Sequence, residues 1–347
     1  MPDNNNLTPK IFINKVLAGT ATGTIVALIP NAVLSAILNY FADYPAAAIV
    51  IRAAVIFQLA TPLIMGGIIA LQFGFNPAKT MITGGAAFVG SGVIKFDPEM
   101  GAYVGAGTGD IINIMITASA AVLLLLWIGE KFGSVSIIAL PIVVGIGAGV
   151  FGMLIYPYVT QVTVGIGAII NNFTNLQPIL MSILIACSFA AIIISPVTTV
   201  GIGLAIQLDG ISAGAAAMGI AATTIVLVIH SWKVNKSGVT LAIALGGMKL
   251  MMPNLFRYPI ILLPCLFTAA ISAIPVVLFS VSGTPASAGF GLVGLVGPLA
   301  SLDAGLGVVP LILCWFVVPI IAGFVAQFLF EKILKLYDKH EAFKFLG

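Results

Sequence analysis

Long apolar runs separated by short polar breaks dominate this chain. Runs of about twenty residues or more lie at 11–40, 46–72, 105–129, 136–158, 177–207, 211–231, 258–281 and 306–330. Each is long enough for an α-helix to cross a hydrocarbon layer about 30 Å thick. Membrane-spanning strands would instead alternate polar and apolar positions over about ten residues, so a β-barrel is excluded. Three further stretches, 79–95, 237–252 and 285–302, are shorter, interrupted and rich in glycine and other small residues. Such texture predicts re-entrant hairpins or discontinuous helices, here near 79–104, 237–257 and 283–303. The eight long runs, with 79–95 and 237–252 added as crossings, make ten. The expected fold class is therefore all-α, a polytopic integral membrane protein of about ten transmembrane helices. It forms a single membrane domain over residues 1–347.

Composition points the same way. Only 7% of the 347 residues are charged and 60% are hydrophobic, against about a quarter charged in a soluble domain. Mean hydropathy is +1.19. Eleven acids and fourteen bases cannot solvate a surface of this size, so lipid must cover the rest. No hydrophilic stretch approaches the roughly 50 residues of a small soluble domain, so any phosphoryl-carrying domain is expected on a separate chain. The net charge of +3 does not suggest a nucleic-acid partner. Its placement is more informative. Lys10 and Lys15 stand at the first span, and Lys332, Lys335, Lys339 and Lys344 follow the last. Basic flanks mark the cytoplasmic side, which puts both termini in the cytoplasm, although Lys233 and Lys236 then fall outside as exceptions. The run from Ile11 is too long for a cleaved signal peptide and reads as a retained span. Cys187, Cys265 and Cys314 lie in apolar runs without CxxC spacing and read as small core residues, so no metal or cofactor is expected.

Polar residues inside such a chain are few, and by default they mark function. Asp110 follows the glycine-rich stretch 105–109 and stands one helical turn before Asn113. The pair shares a helix face and is a candidate solute site with Thr108; the alternative is an aspartate capping a helix N-terminus. Glu99 sits with Lys95 and Asp97 around Pro98, which suits a solvated hairpin tip, or an acid facing a transport cavity. Ser195-Pro196-Val197-Thr198-Thr199 interrupts an apolar helix. Its proline removes a backbone hydrogen bond, leaving Thr198 and Thr199 to satisfy freed groups or a ligand. His230 ends an apolar run just before Trp232 and Lys233, an interfacial pattern that also admits proton coupling. Gln207-Leu208-Asp209-Gly210 reads as a solvated turn.

The stretches Gly283-Thr284-Pro285-Ala286-Ser287-Ala288-Gly289-Phe290-Gly291 through Pro298, and Gly105-Ala106-Gly107-Thr108-Gly109-Asp110-Ile111-Ile112-Asn113, resemble the enzyme IIC membrane subunit of the bacterial sugar phosphotransferase system. More narrowly, the chain resembles its compact branch that includes the perfringolysin-regulator-type proteins. That resemblance implies a permease in the bacterial cytoplasmic membrane, usually a homodimer, which moves a small polar solute such as a sugar by an elevator-like shift. Separate soluble phosphotransferase subunits would be its partners. The better-known sugar branches carry a glutamate in a Gly-Ile-Thr-Glu-Pro type motif. Here Gly283-Thr284-Pro285 has none nearby, so Asp110, Asn113, Glu99 or His230 would have to serve. An ion-coupled secondary transporter and a membrane sensor that keeps the fold are the alternatives. No nucleophile–base spacing points to an enzyme.

Overall fold

The computed structural model describes residues 7–105 and 107–346; Ala106, inside one of the glycine-rich stretches, lies outside them. The chain divides into two compact units. Unit 1 comprises residues up to Asn31 together with Phe41–Val162, and unit 2 comprises Ala32–Tyr40 with Thr163–Leu346.

In chain order, α1 (Pro9–Leu38) is followed by α2 (Pro45–Leu59), α3 (Thr61–Gln72) and α4 (Pro77–Gly90). A two-stranded antiparallel hairpin, β1 (Ile94–Asp97) and β2 (Ala102–Gly105), precedes α5 (Ile111–Ile128). Next, α6 (Ser136–Leu140) runs through a π turn at Pro141–Ile146 into α7 (Gly147–Phe173). The core of unit 1 is a cluster of large apolar side chains, with Met65, Ile69, Phe73, Ile111, Ile114 and Leu125 at its centre.

The remaining elements belong to unit 2. They are α8 (Pro178–Ile192), α9 (Thr199–Ala205), α10 (Gly210–Ser231), α11 (Ser237–Ala244), α12 (Met252–Arg257) and α13 (Leu262–Leu278). They continue with α14 (Val296–Asp303), α15 (Val308–Ile312), α16 (Val318–Gln327) and α17 (Lys339–Ala342). Here the packing is of a different kind. Ala186, Ala190, Ala222, Ala269 and Ala273 form a fully buried alanine seam where α8, α10 and α13 meet. Without a hydrophobic drive between helices in lipid, close backbone approach through small residues supplies the attraction.

Among the described residues, six helices are long and apolar enough to cross a bilayer: Pro9–Ser35, Ile111–Ile128, Gly133–Phe173, Gly210–Ser231, Pro259–Leu278 and Val308–Ile333. The pair α2 and α3, bent by 51°, makes a seventh if it is one span. The helical, polytopic class expected from the sequence is borne out; beside the ten crossings counted there, six or seven helices among the described residues meet the length and apolarity of a span on their own, and shorter apolar helices stand between them. The difference lies where prolines and glycines cut the apolar runs. The run 177–207 ends its first helix at Ile192, the run 79–95 ends at Gly90, and 237–252 holds only the short α11 before a 3-10 turn.

Two of these cuts share a local design. Pro62 and Pro196 have no N–H to give the carbonyl four residues back. In each case the hydroxyl just before the proline donates to that carbonyl, Thr61 Oγ1 to Gln58 O and Ser195 Oγ to Ile192 O at 2.7 Å, the latter also accepting from Ser195 N–H at 2.9 Å. Each hydroxyl adds a donor at the place where the proline has none.

Outside the spans, Lys79 Nζ lies 2.9 Å from Glu130 Oε1, tying the start of α4 to the turn after α5. The hydrogen bond from Lys79, and then its charge, hold the Glu130 carboxyl below its ordinary value. A carboxyl lowered in the folded state contributes stability above its unfolded pKa, and that contribution disappears as pH falls through the folded one. Because Glu130 is exposed, the contribution is small. Glu130→Gln is therefore expected to shift the melting temperature at pH 7 by no more than about 2 °C, and not at all in acid, as a thermal scan at both pH values would show.

Candidate functional site

In unit 2 the break after α8 and the segment 283–303 are built against each other. Thr198 caps α9, its hydroxyl accepting from Gly201 N–H. Thr199 Oγ1 donates to Gly289 O at 2.8 Å. A Cβ on Gly289 would stand 2.3 Å from the Val200 Cα, so only glycine lets the two backbones approach this closely. The segment has its own polar stitching. Thr284 and Ser287 exchange hydrogen bonds, Thr284 N–H to Ser287 Oγ at 2.8 Å and Ser287 N–H to Thr284 Oγ1 at 3.2 Å. Ser301 Oγ donates to Ser282 O and Gly297 O. An isolated antiparallel bridge joins Gly210 to Gly283.

These contacts frame a cleft of about 660 Å3 lined by Tyr40, Asp209, Ser282, Thr284, Ser287 and Asp303, with main-chain and apolar groups between them. Asp209 stands at the N-cap position of α10 but makes no side-chain capping bond there, so its exposed carboxylate is not consumed by the helix end. Asp303 ends α14, and the Tyr40 hydroxyl lies 3.4 Å from its carboxylate. Partial burial, and then the Asp303 charge, raise the Tyr40 phenol above its ordinary value, so it is a hydrogen-bond donor at neutral pH. Among the described residues, no lysine or arginine lines the cleft. The arrangement offers carboxylates, hydroxyls and one aromatic face to a neutral polar molecule.

Unit 1 holds Asp110, Asn113, Thr108 and Glu99. Asp110 caps α5, its carboxylate accepting from Asn113 N–H at 2.9 Å, while its own N–H donates to Ser91 O at 3.0 Å. Asn113 is fully buried. Its Nδ2 donates to Gly90 O and to Gly152 O, the latter at 3.0 Å, so one amide ties α5 to α4 and α7; its Oδ1 has no partner among the described residues. Thr108 Oγ1 donates to Gly109 O. Glu99 is exposed in the β1–β2 turn, its N–H bonded to the Asp97 carboxylate.

The family model described as "Phosphotransferase system, EIIC" matches residues 14–344. The chain belongs to this family. No curated protein and no solved structure matches it. Family membership makes the chain a multi-pass membrane transporter of the phosphotransferase system, and both segments that carried the resemblance fall inside the match. In this EIIC chain, the segment that begins with Gly283-Thr284-Pro285 forms one wall of the unit 2 cleft.

His230, the remaining sequence candidate, lies in a different part of unit 2. It is fully buried and stacked on Phe343 at 4.2 Å. Val226 O, which can only accept, lies 2.8 Å from Nδ1, so that nitrogen carries the proton. In the neutral ring Nε2 then accepts from the Tyr337 hydroxyl at 2.7 Å. Asn254 Nδ2 donates to Ala342 O and Lys344 O, and Asn235 bonds Phe343 O and Phe345 N–H. Together they clasp the segment 337–345 against unit 2. The structure thus gathers Thr198 and Thr199 near segment 283–303, and places His230 in the clasp. It adds Asp209, Asp303 and Tyr40, which sequence reasoning did not select. The only signal for Asp209 was an aspartate and glycine opening a long apolar run, which marks a helix start rather than a ligand.

Proposed function

We propose that this chain is a permease that binds a neutral polyhydroxylated solute, a sugar, in the unit 2 cleft and carries it across the bacterial cytoplasmic membrane. The observation that carries this reading is the lining: Asp209 and Asp303 with Tyr40 and three hydroxyl side chains and, among the described residues, no cationic one. Carboxylates accept paired hydrogen bonds from sugar hydroxyls, whereas an anionic substrate would find only repulsion. Family membership supports transport as the activity. The site is assigned to this cleft rather than to the Asp110–Asn113 face because the Asn113 donors are already spent on main-chain carbonyls. Thr199 ties α9 to Gly289 beside the cleft wall, and Thr198 caps α9 through Gly201 N–H. Movement is by an elevator-like shift, the working form is a homodimer with both termini cytoplasmic, and phosphorylation is supplied by separate soluble subunits.

Uptake into proteoliposomes tests this reading. Labelled sugars are expected to bind and to enter without an imposed sodium or proton gradient. Asp303→Asn and Asp209→Asn should each weaken solute binding by about tenfold or more, the loss of a charged acceptor. Unchanged affinity in both variants would remove the cleft as the site. Uptake that requires an ion gradient would instead make the chain a secondary transporter, and solute binding without any uptake would make it a sensor.

A further inference from the structure

Lys249 is buried in unit 2 with 6% of its surface exposed. Among the described residues, no carboxylate lies within ion-pair distance of it. Its ammonium instead donates to two main-chain carbonyls of the break after α8, Ser195 O and Val197 O, the second at 2.9 Å. These carbonyls lost their helical donors when the helix broke. In a continuous helix the N–H of Gly201 would serve Val197 O; here that N–H goes to Thr198 Oγ1.

The matching turn in unit 1 is instructive. Ser91 Oγ donates to Phe88 O and accepts from Val93 N–H, as Ser195 Oγ does with Ile192 O and Val197 N–H. Yet Ser91 O is served by a main-chain donor, the N–H of Asp110 at 3.0 Å. Of the two serine carbonyls, only Ser195 O draws on a side chain, and that side chain is a lysine. A helix C-terminus carries about half a negative charge, and unwound carbonyls within a membrane protein are the usual ligands of a coupling cation.

We propose that the Lys249 ammonium is a tethered cation filling a carbonyl site that would otherwise take a small monovalent ion. The break beside the re-entrant segment is thus closed by a side chain and needs no sodium. This stands independently of which solute the cleft binds, because it concerns the integrity of the break and is read without any solute.

The test uses the full chain purified in detergent, melted in sodium, lithium or choline chloride at equal ionic strength, and in propylammonium chloride. The wild type should melt at the same temperature in all four. Lys249→Ala should melt lower in choline and recover by about 5 °C or more in sodium, lithium or propylammonium, because the vacated space admits either a metal ion or an amine with its stem. Lys249→Met refills the stem and vacates only the ammonium's place, so sodium or lithium should restore it and propylammonium should not. Equal melting of both variants in all four salts would overturn the proposal, and so would a sodium-specific rise in the wild type. If neither variant accumulates as folded protein, the wild-type series alone decides: indifference to sodium upholds the filled site, and a sodium response refutes it.

Discussion

Gly219→Ala is expected to disrupt the packing of α8 against α10. A Cβ at Gly219 would stand 2.0 Å from Ala186 O and 2.7 Å from its carbonyl carbon. The obstacle is main chain, so no rotamer change relieves it and one helix must move. The alanine seam formed by Ala186, Ala190, Ala222, Ala269 and Ala273 has no larger side chains that could yield. Overpacking of this kind costs about 3 kcal/mol or more. Size-exclusion chromatography should show aggregation after extraction, and a thermal melt of any surviving monodisperse fraction should fall by several degrees. Gly85→Ala is the control. Its Cβ would meet nothing within 4 Å, and alanine is the better helix former, so this variant should match or slightly exceed the parent.

The second large effect is expected at Asn113. Replacing it with alanine withdraws the donor from Gly90 O, in the last turn of α4 where the helix supplies no further partner. It also removes the tie to Gly152 O on α7 and leaves a small cavity in a fully buried place. A stranded buried carbonyl and the cavity together amount to about 3 kcal/mol. Asp110→Asn keeps an oxygen that can accept from Asn113 N–H, so the cap itself survives. The contrast separates two roles. If Asn113 is a fastening, Asn113→Ala lowers the melting temperature while the folded fraction binds solute with parental affinity. If it is a ligand, affinity falls and the melting temperature of the solute-free protein does not.

Hydropathy located the spans that are single, unbroken helices. The run 258–281 became Pro259–Leu278 and 211–231 became Gly210–Ser231, because in these segments length and apolarity are the whole requirement. It overran 46–72 and 177–207, where the helix is cut at Thr61-Pro62 and Ser195-Pro196. A window of apolar residues does not register a missing N–H. The candidate site was legible in part for a similar reason. Asp110 and Asn113 stood out as polar residues beside an apolar run, but whether the Asn113 side chain binds or fastens depends on where its amide points, and that is decided by Gly152, 39 residues away. Asp303 and Tyr40 are 263 positions apart and belong to no local pattern. Their meeting is a property of the folded unit alone.

The clasp around segment 337–345 has a consequence for synthesis. Asn254 and its two carbonyl partners are separated by 88 and 90 residues. At about 5–20 residues per second of translation, the Asn254 amide waits for several seconds before Ala342 and Lys344 exist to accept from it. Throughout that interval the receptor formed by His230, Asn235 and Asn254 stands open. A nascent permease therefore displays an open receptor until segment 337–345 has been made and reaches it.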